Sequence, residues 1–167
     1  MTVRRARAAD LEAAVELHRR AFGSDDVPRL VQELWRSDVY VPELAFVAVE
    51  DDRVVGHVMN TWSGLEGSAT RLLQLSPLGV LPERQGRGVG SALVRASLDG
   101  ARRLGEPLLL VEGSPTYYGR FGFVRADERG LLPPPEALHD WAFQVAVLHD
   151  RADLPRGRVL YSEPFRR

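Results

Sequence analysis

A glycine-rich turn is the segment of this chain whose residue types and spacing could do chemistry. Gln85 to Ser91 read Q-G-R-G-V-G-S, and an apolar run ending at Val80 precedes them. Glycine has no Cβ, so such a turn can bring several backbone N–H groups close to one ligand. A helix predicted to follow it adds unpaired N–H groups and the positive end of its dipole. Together these features favour an anion, above all a phosphate or pyrophosphate.

Three glycine patterns compete for this turn. The dinucleotide pattern G-x-G-x-x-G is not met, because the last glycine comes one residue early, although Glu112 supplies an acid near the expected distance. The Walker pattern requires a lysine, and the motif contains none. Residues Gln85 to Gly90 match Q-x-x-G-x-G in full. A glycine-rich helix cap without a ligand is the remaining alternative.

Composition narrows the class of protein. Hydrophobic residues make up 44% and charged residues 27% of the 167 residues, as in ordinary globular proteins. The net charge of -1 provides no general field that attracts nucleic acid or an anionic membrane. The chain has no cysteine, which excludes disulfides, thiolate metal sites and cysteine nucleophiles. No apolar run approaches the ~18 residues of a membrane span, and the N-terminus lacks the apolar core of a secretory signal. We expect a cytoplasmic protein.

Hydrophobic periodicity and turn residues predict an alternation of helices and strands around this turn. The predicted helices are 10–22, with Asp10 as N-cap, then 27–35, 90–104 and a short helix at 115–118. The predicted strands are 2–7, 45–49, 54–62, 71–80, 107–112, one beginning at 121, and 141–148. A hairpin turn is predicted at 51–53, a polar loop at 63–69, and a proline-rich surface connection at 131–135.

The elements on either side of the turn are expected to position it. Strand, helix and strand in that order predict a parallel crossover pair. Pro77 cannot donate to a strand ladder, so it predicts a bulge, a bend or an edge just before the turn. A strand that leaves its neighbour there has free backbone groups beside the predicted anion site.

With these elements in order, the sequence resembles the GNAT superfamily of acyl-CoA-dependent N-acyltransferases. Two segments carry the resemblance: L-G-V-L-P-E-R-Q-G-R-G-V-G-S-A-L, which begins at Leu78, and Y-Y-G-R-F-G-F at Tyr117 to Phe123. The second segment, and the C-terminal strand followed by Tyr161 to Phe165, look most like the YhbS-type bacterial branch. The resemblance implies a GNAT α/β fold, with a mixed central sheet of about six to seven strands flanked by about four helices. That sheet is expected to splay at the strands that end near Val80 and Glu112.

The resemblance also implies the organisation of the chain and a coenzyme A site. It predicts a single domain over 1–167, with a core at about 3–126 and a C-terminal strand region at 127–167. The turn is expected to wrap the pyrophosphate, and the strand before it to offer backbone groups to the pantetheine arm and the thioester carbonyl. The matching residues are Leu78, Gly79, Val80, Arg84, Gln85, Gly86, Arg87, Gly88, Val89, Gly90 and Ser91.

Catalysis requires an acid for the departing thiolate and a base for the amine proton. Tyr118 occupies the family's acid position, while half-buried packing is its alternative. The strand 71–80 contains no acid, so Glu112 is the leading candidate for the base. Glu33 and His18 are weaker candidates, and an ordered water chain is a further alternative. His18 and His57 are more simply core histidines, and the scattered histidines predict no metal site.

The resemblance therefore predicts an N-acetyltransferase that transfers an acetyl group from acetyl-CoA to a primary amine by direct attack. The acceptor is unidentified, and neither nucleic acid nor a membrane is an expected partner. A monomer and a homodimer are both compatible with the apolar strand 141–148. A non-catalytic acyl-CoA-binding or sensing module is the main alternative, and a dinucleotide-binding protein is the weakest.

Overall fold

The computed structural model describes residues 1–166, which form four helices and nine strands. The helices are α1 (Leu11–Phe22), α2 (Asp26–Trp35), α3 (Val89–Arg103) and α4 (Pro115–Tyr118). The first five strands are β1 (Thr2–Arg5), β2 (Phe46–Glu50), β3 (Arg53–Leu65), β4 (Ser68–Val80) and β5 (Leu108–Glu112). The last four are β6 (Val124–Arg125), β7 (Leu131–Leu132), β8 (Phe143–Val147) and β9 (Gly157–Leu160).

Close backbone contacts divide the described chain into two compact units. The first unit contains residues 1–61 and 76–100, and the second contains 62–75 and the described residues from 101 onward. Both β3 and β4 therefore contribute residues to each unit.

The first unit is built on an antiparallel run of β1, β2 and β3. The pairing extends from Thr2 opposite Val49 to Glu50 opposite Arg53, with an irregularity between Ala48 and Val49. The predicted hairpin turn between β2 and β3 is confirmed. Its two central residues, Asp51 and Asp52, have φ of 48° and 61°, a conformation that aspartate tolerates in tight hairpins.

Helices cover the first unit with apolar side chains. The helical spacing of apolar residues that predicts α1 and α2 is confirmed in part, because Ala14, Val31 and Leu34 are fully buried whereas Phe22 is exposed. Helix α3 lies unusually close to its neighbours at Gly100. A Cβ there would stand 2.5 Å from Cδ2 of Leu44, so a larger residue would have to displace that side chain.

The second unit pairs strands on both sides of β5. Strand β4 pairs with β5 in parallel, with Gln74 opposite Leu110, as the strand–helix–strand order predicts. On its other side β5 pairs antiparallel with β8, which also pairs with β6. The end of β3 pairs with β9, and β9 pairs in parallel with β7. The buried core beneath these strands includes Leu72, Leu108, Leu110, Phe143, Val145 and Val159.

Two local predictions are wrong, and a third is confirmed only in position. Asp10 lies at the N-cap position of α1, but its side chain does not cap the helix: the carboxylate accepts the Arg7 N–H at 2.7 Å and pairs with Arg4, which closes the short turn before the helix. The predicted polar loop at 63–69 is a tight hairpin, in which only two residues separate β3 from β4. The predicted surface connection at 131–135 begins with a strand, and Leu131 is buried in the core of the second unit.

Candidate functional site

The glycine turn has the open backbone that its sequence predicts. Gly86 and Gly88 have φ of 70° and 84°, in the left-handed region that side chains disfavour. A Cβ built on either residue meets no atom within 4 Å, so the space beside both residues is open. Helix α3 begins immediately afterwards, at Val89. Open glycine backbone and a helix start therefore coincide, as an anion site requires.

Hydrogen bonds and close packing fix the turn to the strands beneath it. The Gln85 side chain donates to the Val80 carbonyl at 3.1 Å, and the Leu81 N–H donates to the Val55 carbonyl at 3.0 Å. At Gly56 on β3, a Cβ would stand 2.7 Å from the Val89 side chain. The first turn of α3 thus lies directly on β3, which fixes the position of that turn.

The arginines of this region have different surroundings. The Arg84 Nε donates to Glu50 at 2.6 Å, and its neighbour Glu83 pairs with both Arg20 and Arg53 at 3.0 and 3.2 Å. Arg87 is exposed and forms no side-chain hydrogen bond or ion pair with any residue among 1–166. Arg87 is consequently the arginine of the motif whose whole guanidinium is available to an anion.

At the end of β4, successive residues alternate between buried and half-buried. Gly79 faces the interior, whereas Leu78 and Val80 on either side of it are half-buried. A Cβ at Gly79 would stand 2.7 Å from Nδ1 of His18 on α1. Glycine is required here because the imidazole lies against the strand backbone. The sequence pattern did not reveal this contact.

His18 belongs to a buried pair. Its Nε2 lies 2.9 Å from Nδ1 of His57, both residues have no exposed surface, and the outer nitrogen of each ring lacks a partner among the described residues. Burial lowers the pKa of His57 to about 4, and it also lowers the pKa of His18. Both rings are therefore neutral near pH 7. The interpretation of these residues as core histidines is confirmed by their burial.

In the second unit, Tyr118 lies beside the end of β5. The predicted short helix at 115–118 is confirmed as α4, and the Ser114 hydroxyl accepts the Tyr117 N–H at its start. The Tyr118 ring packs on Gly113, where a Cβ would stand 2.5 Å from Cε2 of the ring. Burial raises the pKa of the Tyr118 phenol, and so does its neighbour Tyr117. The hydroxyl therefore remains protonated at neutral and moderately alkaline pH.

Glu112, the last residue of β5, has a partner for each carboxylate oxygen. Oε2 accepts a hydrogen bond from the Tyr161 hydroxyl, and Oε1 accepts the Leu138 N–H at 2.9 Å. Gly113 follows directly and packs against Tyr118. The structure thus brings two of the predicted catalytic residues to the same strand end.

Residues 1–166 contain neither a candidate metal cluster nor a candidate membrane-spanning helix. No cluster of three or more histidine, aspartate or glutamate side chains in that range could hold a metal ion. None of its helices has the length and apolarity needed to cross a membrane.

Comparison with known proteins decides the family. The family model described as an acetyltransferase (GNAT) domain matches residues 2–126. The chain belongs to the GNAT acetyltransferase family. This GNAT acetyltransferase is 35% identical, over 156 residues, to the uncharacterized N-acetyltransferase YhbS of Escherichia coli strain K12, and the match covers 90% of each chain. It is therefore an enzyme, an N-acyltransferase, and the predicted resemblance to the YhbS-type branch is confirmed.

Solved structures of GNAT proteins confirm the fold. A crystal structure of E. coli YhbS in complex with CoA matches 99% of this chain and 92% of its own, with a TM-score of 0.90 and 31% identity. A GNAT acetyltransferase from Brucella melitensis in complex with acetyl-CoA matches with a TM-score of 0.80 and 27% identity, over 98% and 97% of the two chains. The fold is a GNAT fold, with an open mixed sheet of seven to nine strands and four helices.

Proposed function

We propose that this GNAT enzyme transfers an acetyl group from acetyl-CoA to a primary amine by direct attack. The observation that carries the proposal is the open glycine backbone at Gly86 and Gly88, immediately before the start of α3. Two structural relatives add support, since one was solved with CoA and the other with acetyl-CoA.

The turn would hold the diphosphate of coenzyme A. Backbone N–H groups between Gln85 and Ser91 would donate to the phosphate oxygens, with the dipole of α3 adding a favourable field. Arg87 would add a charge-assisted bond, because its guanidinium forms no other ion pair in the described chain. Arg84, paired with Glu50, would contribute positive charge and fix the turn.

The end of β4 would hold the pantetheine arm and the thioester. Strand β4 pairs with β5 at Gln74 opposite Leu110, so the backbone groups of Leu78 to Val80, further along β4, would be available to the arm. An N–H from this segment, donated to the thioester oxygen, would stabilise the negative charge that develops there during attack. Close contact between Gly79 and His18 would limit movement of that backbone.

Two residues of the second unit would move protons. The amine nitrogen attacks the carbonyl carbon, the carbon–sulfur bond breaks, and Tyr118 donates its phenolic proton to the departing sulfur. The raised pKa of Tyr118 keeps that proton available over the whole neutral range. Glu112 would accept the proton that the amine nitrogen loses, since each of its two oxygens retains a second lone pair after accepting one bond.

A thiol-release assay across a panel of amines tests this function. We expect acetyl-CoA-dependent thiol release with at least one amine. Tyr118→Phe is expected to lower kcat by about a hundredfold, the usual effect of losing a general acid, with little change in acetyl-CoA affinity. Full activity in that variant would remove the acid role. Tight acetyl-CoA binding with no turnover on any amine would favour the non-catalytic binding module instead.

A further inference from the structure

Buried polar side chains lead to Glu112 from the interior of the second unit. The Ser63 hydroxyl donates to Oε1 of Gln74, and Gln74 in turn lowers the pKa of the Tyr161 hydroxyl. Tyr161 then donates to Oε2 of Glu112. Ser63 and Gln74 are each 2% exposed and Tyr161 is 5% exposed, so solvent does not compete for the Ser63–Gln74 bond, while the bond from Tyr161 to the half-buried Glu112 is partly shielded.

Ser63 donates to the amide oxygen of Gln74, which leaves the Gln74 amide N–H groups as its remaining donors. Gln74 lowers the pKa of Tyr161, although burial and Glu112 together raise that pKa above its ordinary value. Tyr161 in turn donates to Oε2 of Glu112. The Tyr161 hydroxyl proton therefore points at Glu112 and stays on Tyr161.

Tyr161 is itself held in place. Its ring packs between Phe143 and Phe165, with ring centroids 6.4 and 5.8 Å away. Its carbonyl accepts a bond from the Arg166 side chain at 2.7 Å. The hydroxyl therefore has a fixed position, and it defines where Oε2 of Glu112 lies.

A glutamate at the end of a strand has three rotatable side-chain bonds, and ordering them costs up to about 2 kcal/mol. At Glu112 two donors from different segments, Tyr161 and the Leu138 N–H, take one lone pair from each oxygen. The remaining lone pairs then have a fixed direction, as general-base catalysis requires of a proton acceptor. Both carboxylate oxygens are thus held at the end of β5, where Gly113 packs against Tyr118.

We propose that Tyr161 is a positioning residue, which orients the Glu112 carboxylate to accept the proton of the acceptor amine. This inference rests on the proposed function, in which Glu112 is the base. The proton moves from the amine nitrogen to Glu112, and Tyr161 keeps its own proton throughout. The C-terminal segment thereby takes part in catalysis without touching the substrate.

The test is Tyr161→Phe, which removes one hydroxyl and keeps the ring. In the full-length enzyme we expect kcat to fall about tenfold, a moderate loss for a misplaced catalytic group, while the KM for acetyl-CoA stays unchanged. In a Glu112→Gln background the same substitution is expected to have no further effect on kcat, because the two residues act as one unit. Tyr40→Phe, at a half-buried tyrosine with no contact to Glu112, is the control and should keep wild-type kcat.

The outcomes separate the inference from the function on which it rests. Wild-type kcat in Tyr161→Phe, normalised to folded protein, would overturn the inference even if the melting temperature fell, since the tyrosine would then only stabilise the fold. Additive losses in the double variant would overturn it as well. An inactive wild type on every amine would refute the proposed function and the inference together. An active wild type with an unaffected Tyr161→Phe refutes the inference alone.

Discussion

The buried His18–His57 pair predicts that stability falls steeply in mild acid. Burial lowers the pKa of His57 from 6.5 to about 4 in the folded protein. Each pKa unit corresponds to about 1.4 kcal/mol, so through His57 alone the free energy of unfolding falls by about 3 kcal/mol between pH 6.5 and about 4. Below pH 6.5, the ordinary pKa that His57 has in the unfolded chain, the unfolded chain binds a proton that the folded chain does not. Stability is therefore intact above pH 6.5 and is lost progressively as the pH falls to about 4.

Urea unfolding followed by circular dichroism at several pH values between 7 and 4.5 measures this loss. The double variant His18→Leu, His57→Phe removes both buried imidazoles, and we expect its free energy of unfolding to be about 2–3 kcal/mol less sensitive to pH over that range. His139→Gln removes an exposed imidazole that stacks on Trp141, and it serves as the matched control with the wild-type dependence. The same pH dependence in the double variant and the wild type would refute the reasoning.

Two glycine substitutions test the two halves of the proposed site. In Gly88→Val the new side chain would cover the neighbouring backbone N–H groups, so we expect coenzyme A binding, measured by calorimetry, to weaken about tenfold or more. The left-handed backbone of residue 88 would also strain the valine and cost about 1–2 kcal/mol of stability. An unchanged dissociation constant would contradict the proposed contact. Gly113→Ala places a Cβ 2.5 Å from the Tyr118 ring, so kcat should fall by about tenfold to a hundredfold as the phenol moves, with coenzyme A affinity retained. Wild-type kcat in that variant would show that the position of Tyr118 is not critical.

Local sequence signals account for much of the fold and for the glycine turn. The order of strand, helix and strand around Gly86 to Gly90 is sufficient to predict the parallel pairing of β4 with β5. Tyr118 was found through a short motif, and the helix that carries it begins with a serine cap that is visible in the sequence. Predictions of this kind depend on residues within a few positions of one another.

The parts that sequence analysis missed depend on contacts between distant residues. His18 and His57 are 39 residues apart, and Tyr161 lies 49 residues from Glu112. No periodicity or spacing indicates that such residues meet, because the contact is created by strand register and helix packing. The error at 63–69 has a different cause: Ser68 to Arg71 are exposed, so the start of β4 has the polar composition of a loop.

The central claim is that the backbone between Gln85 and Ser91 binds the diphosphate of coenzyme A. A crystal structure of this enzyme with acetyl-CoA tests the claim most directly. We expect phosphate oxygens within hydrogen-bond distance of backbone nitrogen atoms in that segment, at about 2.7–3.2 Å. Coenzyme A bound at a place where its phosphates do not contact those nitrogen atoms would contradict the account.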